Sequence, residues 1–260
     1  MMVVSSRQLE SSIAATLRSA GCVFAEDEAR LLLDEASTVA DLAALVTRRV
    51  SGEPLEHIVG WVAFCGERMA VDPGVFVPRR RTEFLVHCAT EVAPARPVVV
   101  DMCCGSGAVA AALHTMFDAS EVYAADIDPA AVRCARRNLP AERVFQGDLY
   151  APLPGALYGH VDVLVANAPY VPTGALSAMP REARCSEPRV ALDGGSDGLD
   201  IHRRLASGAA HWLAPNGCLL IETAESQAGT AQQIFARAGL APRVVSSDDL
   251  DATVVVGFSR

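Results

Sequence analysis

Residues 98–113 read VVVDMCCGSGAVAAAL. Three valines running into Asp101 have the pattern of a buried strand reaching its carboxyl end, and Ala108 to Leu113 has the pattern of a helix built from small and apolar residues. Gly105 and Gly107 lie between them, where glycine lets the backbone come close to a ligand and the helix N-terminus offers free amide donors. A glycine turn alone is common, so the next strand carries the weight. It ends AADID, and Asp126 falls nineteen residues after Gly107, the spacing at which a carboxylate takes both hydroxyls of a ribose in dinucleotide-binding folds. Together these features predict a nucleoside-cofactor site.

Outward from that unit, strands and helices alternate. EVYAADID and RVFQGDL read as strands around the helix PAAVRCARRNL; VDVLVANAP, GCLLIET, RVVSSD and TVVVGFS read as further strands, with helices at IHRRLASGAAHWL and SQAGTAQQIFARAG. Continuous apolar strands separated by helices predict an α/β fold with a mostly parallel sheet covered on both faces. The last two strands have no helix between them and are expected to pair as an antiparallel hairpin. Upstream, Leu9, Ile13 and Leu17 recur at helical spacing, and the same periodicity runs from Ser5 to Arg49 with breaks at Gly21 and Gly52-Glu53-Pro54. Residues 60–78, GWVAFCGERMAVDPGVFVP, are aromatic and β-branched around a Pro-Gly pair, the pattern of a β-hairpin, and TEFLVHCATEV reads as a helix. The expected organisation is a helical N-terminal domain over 1–58, a β-hairpin linker over 59–82 and the α/β domain over 83–260.

Composition narrows the partners. A net charge of −9 repels nucleic-acid phosphates, and the basic runs at Arg79 to Arg81 and at Arg133, Arg136 and Arg137 are short, so free nucleic acid is not an expected partner. No apolar run approaches the roughly 18 residues of a membrane span, and the N-terminal stretch has no secretory signal pattern. A cytoplasmic monomer is expected. The eight cysteines form no CxxC pair, so they read as reduced thiols and no metal site is expected. The six histidines are scattered and read as core or surface residues. Glu222, after the apolar run CLLI, reads equally as a pocket residue or a strand-end carboxylate.

The run VDVLVA leads into Asn167, Ala168, Pro169 and Tyr170, beside the crevice that open parallel sheets form at their carboxyl ends. A turn accounts for Asn and Pro but has no need of Tyr. An amide nitrogen is a poor nucleophile because its lone pair is delocalised into the carbonyl. Two acceptors aimed at its N–H bonds hold the lone pair toward an incoming methyl and favour the positive charge that develops. The Asn167 side-chain oxygen and the Ala168 carbonyl are candidates for that pair, Tyr170 for a flat packing surface, and no strong general base is needed. Asp128 before Pro129 reads as a helix N-cap.

DMCCGSG, the acidic second strand and FQGDLY succeed one another as in class I S-adenosylmethionine-dependent methyltransferases, which they resemble. A dinucleotide fingerprint would place its third glycine at Ala110. The chain further resembles the protein-(glutamine-N5) methyltransferases that modify peptide-chain release factors (the HemK/PrmC family), through GEPLEHIVG, GVFVPRRRTEFL, DMCCGSGA, AADIDPAAV, QGDLY, NAPYVP, EPRVALDGGSDGLDIHRRL and LAPNGCLLIET. That resemblance implies a Rossmann-like sheet with an antiparallel last strand and S-adenosylmethionine as cofactor. It implies a backbone cradle for the methionine end from Cys103, Cys104, Gly105, Ser106 and Gly107 below Asp101, with Asp126 at the ribose and Asp148 and Leu149 bordering adenine. Asn167 would touch cofactor region and substrate, with Ala168, Pro169 and Tyr170 completing the catalytic turn. The implied acceptor is a release-factor glutamine, which family members recognise partly through their helical N-terminus.

The chain departs from the family pattern at several places. Ala168 stands where the family has the first proline of NPPY, Arg80 and Arg81 replace a Pro-Glu, Cys103 and Cys104 take glycine and threonine places, and the helical N-terminus is shorter. Two other readings are carried: N-methylation of a small molecule with an amide-like or guanidino nitrogen, and a non-catalytic binding module that keeps the fold.

Overall fold

The computed structural model describes residues 6–117 and 120–259; Ser5, where the helical periodicity begins, and the first residues of the expected N-terminal domain lie outside them. In chain order the main elements are helices α1 (Ser6–Ser19), α2 (Ala25–Glu35), α3 (Val39–Val50) and α4 (Leu55–Val59), strands β1 (Trp61–Phe64) and β2 (Glu67–Ala70), and α5 (Glu83–Val92). These are followed by β3 (Val98–Met102), α6 (Ala108–Met116), β4 (Glu121–Asp126), α7 (Pro129–Ala135), β5 (Val144–Gln146), β6 (Val161–Ala166), α8 (Arg181–Ser186) and α9 (Asp200–Trp212). The chain closes with β7 (Leu213–Thr223), α10 (Ala228–Arg237), β8 (Ala241–Ser247) and β9 (Ala252–Phe258).

Seven strands form the main sheet in the order β5-β4-β3-β6-β7-β9-β8. The pairs from β5 to β7 are parallel, and β9 runs antiparallel to both β7 and β8. The closing hairpin therefore inserts its second strand, not its first, beside β7. The reason is burial: β9 is apolar and buried along nearly its whole length, while β8 carries Arg243 and Ser246 and suits an edge. Apolar clusters on the two faces of the sheet use alternate residues of one strand, so Val163 and Val165 face one and Leu164 and Ala166 the other. Each fully buried Leu or Val contributes about 1.5–3 kcal/mol.

Helices α1 to α4 gather around a separate cluster in which Leu17, Ala25, Ala29 and Leu32 are fully buried. The periodicity that runs unbroken through residues 25–50 is interrupted at Ser37-Thr38. Thr38 Oγ1 accepts from Asp41 N at 3.1 Å and Asp41 Oδ2 from Ser37 N at 3.0 Å, a reciprocal cap that starts α3.

The linker differs from its expected form. The hairpin spans only 61–70, and its turn is Cys65-Gly66, both at positive φ, instead of Pro73-Gly74. A two-residue loop with two left-handed residues matches strand twist. Residues 71–79 leave the hairpin as an irregular segment, and Val75, Phe76, Pro78 and Arg79 reach the wall of the main cavity.

Candidate active site

At the carboxyl end of the parallel strands lies a cavity of about 520 Å³, within the range of roughly 300–1,000 Å³ usual for small-molecule sites. Its residues come from several separate strand ends. Asp101, at the end of β3, is 1% exposed, and its Oδ2 accepts from Ala110 N at 3.1 Å, which anchors the first turn of α6. Burial pushes its carboxyl up to about 8, with the nearby Asp126 charge adding to the shift and the Ala110 amide opposing it. Cys103, Gly105 and Gly107 all have positive φ. A Cβ on Gly107 would stand 3.0 Å from Ala135 Cβ, so the glycine lets the loop lie against α7.

Asp126 is bonded on both oxygens: Oδ2 accepts from Gly105 N at 2.8 Å and Oδ1 from Asp128 N at 2.9 Å. Burial raises its pKa against the pull of those amides. A carboxylate oxygen has more than one acceptor position, so both retain capacity toward the cavity. Asp128 caps α7 by accepting from Ala130 N at 2.8 Å. Asp148 lines the cavity but is half-exposed and paired with Arg204 at 2.7 Å; Leu149 beside it takes a left-handed φ of 49°. Of the cofactor residues read from the sequence, all but Gly107 line the cavity.

The residues fit a nucleoside cofactor with an amino-acid tail. Asp126 offers a half-buried acceptor pair for a diol, the 103–106 loop approaches with its backbone, and Ser106 Oγ is buried with no partner.

The NAPY turn lines the same cavity. Asn167 Nδ2 donates to Thr82 Oγ1 at 3.1 Å, and Tyr170 Oη donates to Glu222 Oε1 at 3.2 Å. Glu222, on β7, is 2% exposed, and Arg81 Nε stands 3.8 Å from Oε1. Burial raises the Glu222 pKa, while Thr82, Arg81 and Tyr170 pull it down. Burial also pushes the Tyr170 hydroxyl up to about 12, and the neighbouring carboxylate adds to the shift. Arg81 lines the cavity, whereas Arg80 does not. Sequence reading did not single out Thr82 and left Glu222 ambiguous, because their importance lies in contacts across 85 and 52 residues of chain.

The DGGSDGL segment is built against this turn. Gly194 N donates to Val171 O at 2.9 Å, and Gln227 Nε2 donates to Tyr170 O and Asp197 O, both at 2.9 Å. A Cβ on Gly194 would lie 2.7 Å from Pro169 O, and one on Gly198 would collide with Tyr170 O. Glu187, 6% exposed, pairs with Arg79 and ties residues 173–192 to the linker.

The Methyltransferase small domain family matches residues 68–182. A release factor glutamine methyltransferase of Geobacter sulfurreducens is 39% identical over 219 residues, covering 82% of this chain and 75% of that protein. The chain belongs to the release factor glutamine methyltransferase family. It is an S-adenosylmethionine-dependent N-methyltransferase. Another relative, the 4-amino-L-phenylalanine/4-methylamino-L-phenylalanine methyltransferase of Streptomyces pristinaespiralis, is 37% identical over 203 residues, 75% of this chain and 71% of that one. Among solved structures, a methyltransferase from Pyrococcus furiosus superposes with a TM-score of 0.56 at 16% identity, over 74% of this chain and 89% of that one, which bears on the fold alone.

Proposed function

We propose that the protein methylates the carboxamide nitrogen of a glutamine side chain in a protein of the peptide-chain release factor type. The observation that carries this reading is the orientation of Asn167. Its NH2 is taken up by Thr82 Oγ1 at 3.1 Å, so its carbonyl oxygen is turned away from Thr82 and stays available at the cavity wall. When bound, S-adenosylmethionine supplies an electrophilic methyl on a sulfonium. Asn167 Oδ1 and the Ala168 carbonyl accept the two N–H bonds of the incoming amide, hold its lone pair toward that methyl, and favour the positive charge that develops on nitrogen. Tyr170, fixed at its hydroxyl, packs against the amide plane. The surplus proton leaves after transfer, so no strong base is required.

Asp101, Cys103, Cys104, Gly105, Ser106, Asp126, Asp148 and Leu149 are assigned to the cofactor by the same reading, with Gly107 shaping the loop that carries them. Residues 1–58 form the helical unit that meets the release factor, 59–82 the linker and 83–260 the catalytic unit, and the protein acts as a monomer.

A second reading has its own support. The relative named for 4-amino-L-phenylalanine shows that a chain this similar carries the name of a small amine acceptor, and Ala168 and Arg81 alter this turn and its wall. Incubating the purified protein with labelled S-adenosylmethionine and either a release factor or a small-molecule fraction separates the two. Label on a release-factor glutamine supports the first reading, and label confined to a small molecule overturns it in favour of the second.

A further inference from the structure

A second cavity, of about 330 Å³, lies where the end of β7 meets the four-residue loop, 248–251, that joins β8 to β9. Arg81 and Tyr170 line both cavities, whereas Glu222 lines only this one. Tyr170, whose hydroxyl donates to Glu222 Oε1 at 3.2 Å, therefore stands between the catalytic turn and a separate compartment. The charge of that compartment is one-sided. Glu222, Glu225, Asp248 and Asp251 supply four carboxylates, and Arg81 supplies the one guanidinium. Arg81 Nε is 3.8 Å from Glu222 Oε1, so this cation already faces the buried member of the four.

The other three are exposed and, among the described residues, their side chains make no hydrogen bond or ion pair. Glu222 is 2% exposed, and its second oxygen, Oε2, is buried with no partner. An unpaired buried acceptor is costly, and a donor-rich ligand offsets that cost. The carboxylates do not converge on a point: no three Asp, Glu, His or Cys side chains among the described residues are placed to hold a metal ion. Acceptors spread along a wall suit several N–H donors on a flexible stem, which is the chemistry of a guanidinium or a primary ammonium.

We infer that the second cavity is a subsite for a positively charged side chain of the methyl acceptor, held across Tyr170 from the reacting amide. The inference deepens the carboxamide reading and rests on it. With the glutamine amide at the NAPY turn, the breadth of one tyrosine side chain is spanned by about two or three residues of extended chain, at roughly 3.3–3.6 Å each. The enzyme thus selects a glutamine that has an Arg or Lys at that separation.

Peptides with one central glutamine and Arg, norleucine or Glu two or three residues to either side test it, as acceptors for labelled S-adenosylmethionine and, in parallel, as ligands followed by fluorescence anisotropy. In the wild type the Arg peptide should exceed the norleucine peptide roughly tenfold in kcat/KM, through KM, and bind correspondingly tighter, with the Glu peptide poorest. Asp248→Asn combined with Asp251→Asn should cut that ratio to about twofold. Asn keeps the shape of Asp and tolerates the left-handed backbone at 251, φ 47°, so the loop is preserved. A chain of net charge −9 attracts any cation to some degree. Glu91→Gln combined with Glu142→Gln removes the same charge from exposed positions outside both cavities and should leave the ratio as in the wild type. A wild type that binds the Arg and norleucine peptides equally would overturn the inference, as would a ratio that falls no further in the Asp248/Asp251 pair than in the Glu91/Glu142 pair. If neither peptide nor release factor is methylated, the carboxamide reading falls, while the anisotropy ratios still decide the subsite.

Discussion

Asn167 and Asp126 line one cavity and are expected to fail in different ways when truncated. On the proposed reading Asn167→Ala removes an acceptor used at the moment of transfer, so turnover should fall by about 10²-fold or more while the fold persists; a variant that keeps most of its turnover would remove the amide from the mechanism. Asp126→Ala removes the carboxylate proposed to hold the cofactor diol and also releases Gly105 N, held at 2.8 Å. Charge-assisted bonds of about 1.5–3 kcal/mol each predict cofactor binding weaker by at least one order of magnitude, read by calorimetry. Asp101 carries a pH signature. Its folded pKa, about 8, stands above its ordinary unfolded value, so between about pH 4 and 8 the unfolded chain gives up a proton that the native state keeps. Its contribution to stability is present at low pH and lost as pH rises through that window. Urea unfolding of the cofactor-free protein at pH 5 and pH 8 should show a smaller loss of stability in Asp101→Asn than in the wild type.

At the scale of elements, β6 and the 193–199 segment act as one unit. The turn that follows β6 is held by the backbone of Gly194 and by Gln227 from the start of α10, so the glycines of DGGSDG are needed for contact as much as for flexibility. Gly194→Ala places a methyl 2.7 Å from Pro169 O and should cost about 1–3 kcal/mol. It should also reduce turnover more than cofactor binding, since one of the crowded atoms, Pro169 O, belongs to the NAPY turn and the other, Gly198 O, to the segment packed on it; comparison of melting temperature, kcat and cofactor affinity checks it. The hairpin carries a related lesson. Pro73-Gly74 is a strong turn signal, yet the chain turns at Cys65-Gly66 because Phe64 and Glu67 are the residues that pair across the loop.

For the whole molecule, the N-terminal helices and the catalytic sheet meet through charge. Arg49 on α3 bonds Glu28 on α2 at 2.6 Å and reaches Glu182 on α8 at 3.3 Å. Both Arg49 and Glu28 are nearly buried, so Arg49→Ala leaves Glu28 without its cation and should destabilise the helical unit by about 3 kcal/mol. Hydrogen exchange should rise together in α1 to α4 and around Glu182; a rise confined to the helices would mean that the contact with α8 carries no coupling. The alternation of apolar strands with helices, the Gly105-Gly107 turn and the position of Asp126 were legible in the sequence because each is a local pattern with a fixed period or spacing. The same holds for NAPY as a turn at a strand end. The insertion of β9 between β7 and β8, the break at Thr38 and the place of the linker turn depended on which residues found burial or partners. Thr82 and Glu222 are the clearest case: the chain leaves Glu222 between two readings and does not single out Thr82, and only the packing of the linker against β6 and β7 brings a hydroxyl and a carboxylate to the two ends of the turn. Periodicity and spacing determined the sheet and the cofactor crevice; the direction of the hydrogen bonds in the site was decided by tertiary structure, because a hydrogen bond's sense depends on partners that the chain supplies from far away.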